Sequence, residues 1–433
     1  MNAKAIGAAL LVTCGALARA QTPAQTPEPA PAPAAAPAAA TAPAPEAPRP
    51  APSPVVFAMK GFVSMSACGQ DDAFVITDCQ QSLMAAAEPV ADGNSLGFDV
   101  RQSRFNFSVK GPQVLLGATP TAVLEIDFMQ GFGAGAFGSV SLLNRMRLAY
   151  SELSWGANRL VFGQMNDLTF AMAPVSLSHI AFPLGFATGS VGWRRPGIWG
   201  FHTVEAAPDV KVELAWMLGR SQWNEAATGI GANAVNQPNG IGQGEASALP
   251  AVEARATLSY AKLLTAYVAG HYNKVDLNGV GASGGDTIAV QVLTGGAKVT
   301  YGPITVAANG YAGKNTGPLL GNLVQFDLGP ASASVSDVGF WAQAGFYFTK
   351  ELSAWALYGQ QAPDAGDAKG AKMARLKSKT ANLMVQYRDG GYALSAEWIN
   401  FKTTNASYDG AGAFLGSKVA DANQYVLTAN YFF

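Results

Sequence analysis

The sequence predicts an all-β fold: a transmembrane antiparallel β-barrel of sixteen strands, preceded by a signal peptide and a disordered Ala/Pro-rich segment. Three observations carry this expectation. Of the 433 residues, 49% are hydrophobic and only 13% are charged, about half the charge of an ordinary soluble chain. Past the extreme N-terminus no apolar run reaches the ~18 residues a helix needs to span a bilayer, which leaves the closed barrel as the way across. From residue 55 onward hydrophobic and polar residues alternate with the period of two that marks strands.

Taken in order, residues 1–20 read as an export signal. MNAK is positive, AIGAALLVTCGAL is apolar, and Ala18-Arg19-Ala20 is a small-residue cleavage site. LVTC ending at Cys14 loosely matches a lipidation box, although Thr13 is a poor residue before it. Residues 21–54 are almost wholly Ala and Pro, which enforces extended geometry and forbids a packed core. This segment is a periplasmic linker, either a plain spacer or a tether that touches peptidoglycan. Residues 55–433 form the barrel. Early in it, CGQDDAFVITDC holds Cys68 and Cys79, an exported pair suited to a loop-stapling disulfide.

Sixteen strands are expected at approximately 55–66, 99–110, 121–132, 144–155, 159–168, 193–206, 210–222, 251–261, 263–275, 287–301, 303–314, 338–349, 351–360, 380–388, 391–402 and 423–433. Short turns such as Ala157-Asn158, Pro208-Asp209, Gly302-Pro303 and Asp389-Gly390 alternate with long polar or Gly-rich connections such as 223–250, 315–337 and 403–422. That rhythm is the turn-and-loop pattern of an outer-membrane barrel. The final strand, NQYVLTANYFF, places Tyr431 and Phe433 on one face and must pair with the first strand to remove both edges. A terminal aromatic after alternating hydrophobics resembles the signal read by the barrel-insertion machinery.

Charge and motif content narrow the function. A net charge of −1 argues against a nucleic-acid partner. No metal, nucleotide or hydrolase motif is present, so no cofactor is expected and the chain is read as a non-enzyme. GFGAGAFG (131–138) mimics a nucleotide fingerprint only by its letters. The three histidines, His179, His202 and His271, leave a barrel hydrolase as a remote alternative.

Alternation assigns the charges. With Phe105, Phe107 and Val109 toward lipid, Arg104 and Lys110 face the lumen. Likewise Glu125 and Asp127 face inward while Leu124, Ile126 and Phe128 face out. With Met146, Leu148 and Tyr150 outward, Arg145 and Arg147 point in, and Arg255, Lys298 and Arg388 follow by the same logic. Arg101 and Arg195 break the parity and belong at strand ends or a bulge. Either the inward charges fill a plugged barrel by pairing, or they line a water-filled channel. TFAMAPVSLSHIAFPLGFATGSVG (169–192) has no Asp, Glu, Lys or Arg but carries Phe170, Phe182 and Phe186. Folded inward it would narrow the pore opposite the arginines; a lid or a subunit contact is the competing explanation.

VRQSRFNFSVKG (100–111), AVLEIDFMQGFG (122–133), RMRLAYSEL (145–153), LVFGQMNDLTF (160–170) and RRPGI (194–198) resemble the DcaP-like porins of Gram-negative outer membranes. The resemblance covers mainly the first half of the barrel. It implies a homotrimer of sixteen-stranded barrels, embedded in outer-membrane lipid, that passes small anionic solutes such as dicarboxylates by diffusion. It also implies pore-region positions for Arg104, Glu125, Asp127, Arg147, Gln164 and Arg195; Arg194, beside the last of these, is counted with the pore-lining residues. Two departures stand out: Ala-Pro repeats replace a helical segment before the barrel, and Trp199 stands where relatives tend to carry a further Arg. A structural or adhesive barrel tethered through the Ala/Pro segment is the alternative function.

Overall fold

The computed structural model describes residues 54–75, 79–87, 93–129, 132–134, 140–221, 243–276, 287–324 and 334–433. The signal peptide and most of the Ala/Pro linker lie outside the described residues, as do most of 131–138 and of 223–250.

Sixteen antiparallel strands close into one barrel. They are β1 (Val56–Gln70), β2 in two pieces (Ser95–Asp99 and Arg104–Lys110), β3 (Thr119–Asp127), β4 (Arg145–Trp155), β5 (Asn158–Asn166), β6 (Arg194–Ala207), β7 (Val210–Gly219) and β8 (Ala251–Tyr260). The second half comprises β9 (Leu264–Asp276), β10 (Thr287–Tyr301), β11 (Ile304–Lys314), β12 (Ser336–Tyr347), β13 (Leu352–Pro363), β14 (Arg375–Asp389), β15 (Tyr392–Tyr408) and β16 (Phe414–Phe432). Both pieces of β2 pair with β1, so they are one strand interrupted at 100–103. Each expected strand has one counterpart. The expected connection 403–422 is the clearest difference: β15 and β16 stay paired far past the barrel wall and meet in a turn at 409–413.

Closure follows from the aromatic ending. β16 pairs with β1 from Phe62↔Phe432 to Gln70↔Gln424. Phe433 and Gly61 then exchange two backbone hydrogen bonds, at 3.0 and 3.1 Å. Tyr431 and Phe433 face outward with Tyr392, Tyr387, Tyr301 and Tyr260, an aromatic girdle at the short-turn end. Above it the outer wall presents Val, Leu, Ile and Phe, the face expected to meet hydrocarbon.

The two ends differ because loops fill one of them. The described parts of three long connections fold into the lumen: L1 (71–75, 79–87 and 93–94), L3 (167–193) and L6 (315–324 and 334–335). Leu83 and Met84 from L1, Phe182 and Phe186 from L3, and Leu320 and Leu323 from L6 share one buried apolar cluster. L1 is held there by a Cys68–Cys79 disulfide with Cα atoms 5.5 Å apart. The expected pair therefore forms, and it pins the loop inside the barrel against β1.

Candidate functional site

L3 crosses the lumen from the β5–β6 wall to β15, and its backbone is anchored at both sides. At its start, Asp167 accepts from two of the three Arg195 guanidinium nitrogens, Nε at 2.6 Å and Nη2 at 2.9 Å, plus the Trp193 amide at 2.8 Å. Glu253 on β8 accepts from the Leu168 amide and Thr169 hydroxyl, and also bonds His271 at 2.8 Å. At the far side, Glu397 on β15 accepts from the Leu177 and Ser178 amides, both at 2.9 Å, and from Ser176 Oγ at 2.8 Å. Charged acceptors bind amides more strongly than neutral ones do, so these carboxylates take the place of the secondary structure L3 lacks. Its tip presses on β12 and β13, where a Cβ at Gly339 or Gly359 would collide with Thr188. L3 thus lies against the inner faces of β12, β13 and β15.

L3 brings an uncharged wall with it. Phe170 and Phe186 stack with centroids 5.1 Å apart, and Phe182 and Phe186 both contact Trp193. Between Leu168 and Trp193 the one titratable side chain, His179, is buried between Ser178 Oγ and the Ser82 carbonyl. Burial holds its imidazole down at about 4, so it stays neutral.

Opposite this wall lie the charges of β2, β3, β4 and β6. Arg145 forms a two-point pair with Asp127, at 2.9 and 2.7 Å, with its guanidinium 4.9 Å from the Phe182 ring centre. Arg147 bridges Glu125 at 2.8 Å and Asp127 at 2.9 Å. Arg104 comes no nearer than 3.7 Å to Glu125, and its Nε and Nη2 are buried without a hydrogen-bond partner. Arg194 lies over the Trp193 ring at 3.9 Å and has no carboxylate partner among the described residues. Four guanidinia thus meet two carboxylates, an excess of two positive charges. Arg104, Arg147 and Arg194 line a cleft of about 190 Å³ whose other side is L3, including Phe170, Ile180 and Phe186.

A β-bulge makes this cluster possible and corrects the expected parity of β4. Glu125 pairs with Leu148 and Ile126 with Met146, so Arg147 is the extra residue. The kink lets Arg145 and Arg147 reach the same two carboxylates. It also turns Leu148 and Tyr150 inward, not outward as alternation alone predicts; Tyr150 packs against the Val161–Trp199 cluster.

The other expected residues divide. Gln164 bonds the Met146 and Arg147 carbonyls across the bulge and so supports the wall. Arg195 is withdrawn from the cleft altogether, fully engaged by Asp167 and two backbone carbonyls. Arg255 pairs with Glu213, which also receives Arg159 over Phe201, and Arg159 reaches Glu152 as well, so two arginines meet two glutamates in a second group where charges balance. Lys110 and Lys298 are exposed near the short-turn end, and Arg388 sits 4.8 Å from the Phe432 ring. The carboxylates that hold L3, namely Asp167, Glu253 and Glu397, are not apparent from the sequence. Nothing local distinguishes an inward Glu that lines a lumen from one that anchors a loop.

With the geometry in place, comparison with known proteins gives a likeness of fold. No family model and no curated protein sequence matches the chain. Among solved structures it is similar to the outer membrane channel DcaP of Acinetobacter baumannii, at 16% identity and TM-score 0.62, covering 88% of this chain and 97% of that one. It is similar to an anion-selective porin from Comamonas acidovorans at 13% identity and TM-score 0.55, covering 88% and 100%. The trimer form of OmpT, an outer membrane protein of Vibrio cholerae, matches at 11% identity and TM-score 0.51, covering 88% and 100%. The chain has the porin fold, in keeping with the DcaP-like motifs of its first half.

Proposed function

We propose that this chain is a diffusion porin of the Gram-negative outer membrane, assembled as a homotrimer, that passes small hydrophilic anions, dicarboxylates among them. The observation that carries the proposal is the surplus of guanidinia at the L3 cleft: Arg104 comes only within 3.7 Å of Glu125, whose oxygen Arg147 already holds at 2.8 Å, and Arg194 has no carboxylate partner among the described residues. A guanidinium stays charged at any working pH. Apolar walls focus its field along the lumen and raise the local anion concentration. An entering anion trades water for these donors on one side while its hydrocarbon part slides along Phe170 and Phe186. Release requires that no single contact be strong, and a few spaced guanidinia meet that requirement better than one deep site. Below the cleft, Lys110, Lys298 and Arg388 have no carboxylate partner among the described residues and extend the basic path.

Two of the structurally similar proteins are described as an anion-selective porin and a trimer, which supports the same reading for this chain. The test is planar-bilayer recording of the purified protein under a KCl gradient. Stepwise openings with a reversal potential on the chloride side support the proposal. Electrical silence from folded protein would favour the tethered structural barrel instead.

A further inference from the structure

Glycine inside a strand costs stability and marks a place where another backbone comes close. Two inward positions of the far wall carry it, Gly339 on β12 and Gly359 on β13, alternating with the outward Phe340 and Tyr358. Thr188 of L3 fills the space they leave. A Cβ at Gly359 would stand 2.7 Å from the Thr188 Cβ and 2.9 Å from its Cγ2, and one at Gly339 would overlap the Thr188 carbonyl oxygen. The next loop residue, Gly189, lies so close to β12 that a Cβ there would overlap the Phe340 backbone. Three wall side chains fix the depth of this seat. Asn309 donates to the Gly189 carbonyl at 2.6 Å, Trp341 Nε1 to Ser190 Oγ at 2.9 Å, and Gln343 exchanges two bonds of 2.7 Å with the Val175 backbone. Loop and wall therefore touch with no slack between them.

The loop tip is tied to itself and so moves as one piece. The Thr188 hydroxyl donates to the Leu184 and Gly185 carbonyls at 3.0 and 2.7 Å, the Ser190 amide to Gly185 at 2.8 Å, and the Phe186 amide to Pro183 at 3.0 Å. Phe186, two residues before the seated threonine, also lines the arginine cleft. In a ring of sixteen strands, β12 and β13 stand eight places from β4 and β5, directly across the lumen. β4 carries Arg145 and Arg147. Displacing Thr188 from its seat thus carries Phe186 toward the guanidinia. We infer that the Gly339–Gly359 seat sets the width of the cleft, which makes these two glycines and Thr188 the residues that set the size limit for a passing solute. The inference deepens the diffusion-porin reading and rests on it.

The test is single-channel recording together with liposome swelling in uncharged sugars of increasing size. Carbon atoms in contact settle at about 3.5–4.0 Å, so Gly359→Ala requires the tip to withdraw by roughly 1 Å. Taken off a cleft of about 190 Å³, whose cube root is about 6 Å, that step removes roughly a sixth of the section. Single-channel current should fall by at least that fraction, and swelling in a disaccharide should slow more than swelling in a pentose. A pair of double variants separates side chain from backbone. Thr188→Gly removes the atoms that Gly359→Ala would meet, so T188G/G359A should match T188G alone. T188G/G339A should stay narrowed, because the carbonyl oxygen remains. Thr188→Leu overfills the same seat from the loop side with the barrel strands untouched, and it tests the seat if Gly359→Ala does not assemble. The reversal potential should stay on the chloride side in each variant, since no charge has changed. Parent-like current and sugar discrimination in Gly359→Ala or Thr188→Leu overturn the inference. So does a loss of current in Gly359→Ala that Thr188→Gly leaves uncorrected, which marks damage to the strand and not displacement of the loop. A silent or cation-selective parent defeats the channel reading itself, a result distinct from either.

Discussion

Removing Arg104 and Arg194 together should abolish anion preference without dismantling the cleft. The choice of pair follows from the contacts. Arg145 and Arg147 are stitched to Asp127 and Glu125, so truncating either strands a carboxylate. Arg104 and Arg194 leave none behind: Glu125 keeps Arg147, and Arg194 holds no acid. R104A/R194A takes the group from an excess of two positive charges to neutrality. A monovalent anion about 4 Å from a guanidinium gains about 1 kcal/mol even at the dielectric constant of water. Two such contacts amount to about 2 kcal/mol, roughly a thirtyfold enrichment before screening. At 0.1 M salt the Debye length of about 10 Å leaves much of that in place, whereas at 1 M it shrinks to about 3 Å. The expected wild-type chloride-over-potassium permeability ratio is therefore on the order of ten in dilute KCl, falling toward unity in molar salt. The variant should sit near unity throughout, with heat-modifiable mobility unchanged. A double variant that keeps the wild-type reversal potential would refute the assignment of selectivity to this cleft. A cation-selective wild type would refute the charge count itself.

Three further expectations concern how the barrel and its loops are held. Glu397→Ala removes the acceptor shared by Ser176, Leu177 and Ser178, so L3 should loosen and single-channel current should become noisier and larger, while an unchanged trace would place the anchor elsewhere. Cys68→Ser should leave barrel assembly intact but raise proteolysis within L1; loss of the folded barrel would show that the disulfide is needed for closure. Deleting Phe433 removes both backbone bonds to Gly61 at the seam and should lower the yield of folded protein, whereas normal surface levels would rule out a role in assembly.

Much of the wall is legible in the sequence alone, because a lipid-facing residue every second position leaves few ways to assign strands. The inward turn of L3 is legible too, from the absence of charge across 169–192 and its three phenylalanines. What alternation cannot give is the bulge at Arg147. One extra residue is invisible in a pattern whose period is two, and it reverses every assignment after it, as Leu148 and Tyr150 show. The anchors are hidden for a different reason. Glu397 meets Ser176 across 221 residues of sequence, and its own neighbours, Ala396 and Trp398, read only as strand. Arg195 carries a local hint, since it breaks parity, but its partner Asp167 lies on the far side of a long loop.

Asp127 and Glu125 are the least obvious part of a site read as anion-selective, and the geometry explains their presence. Four guanidinia confined to one cleft would repel one another and swing apart, because each has a long, rotatable side chain. Two carboxylates cost two charges but fix Arg145 and Arg147 through four short bonds, and those two side chains then define the wall against which Arg104 and Arg194 stand. The aromatic side has a matching role. Trp193 and Phe182 lie against Arg194 and Arg145, and a guanidinium on a ring face keeps its charge while losing freedom. An excess of two charges is thus held in place by groups that are themselves neutral or negative. On this account Glu125→Gln should raise the formal charge by one yet blur selectivity, since it frees Arg147 to move; a cleaner, stronger anion preference in that variant would show that the carboxylates only dilute the field.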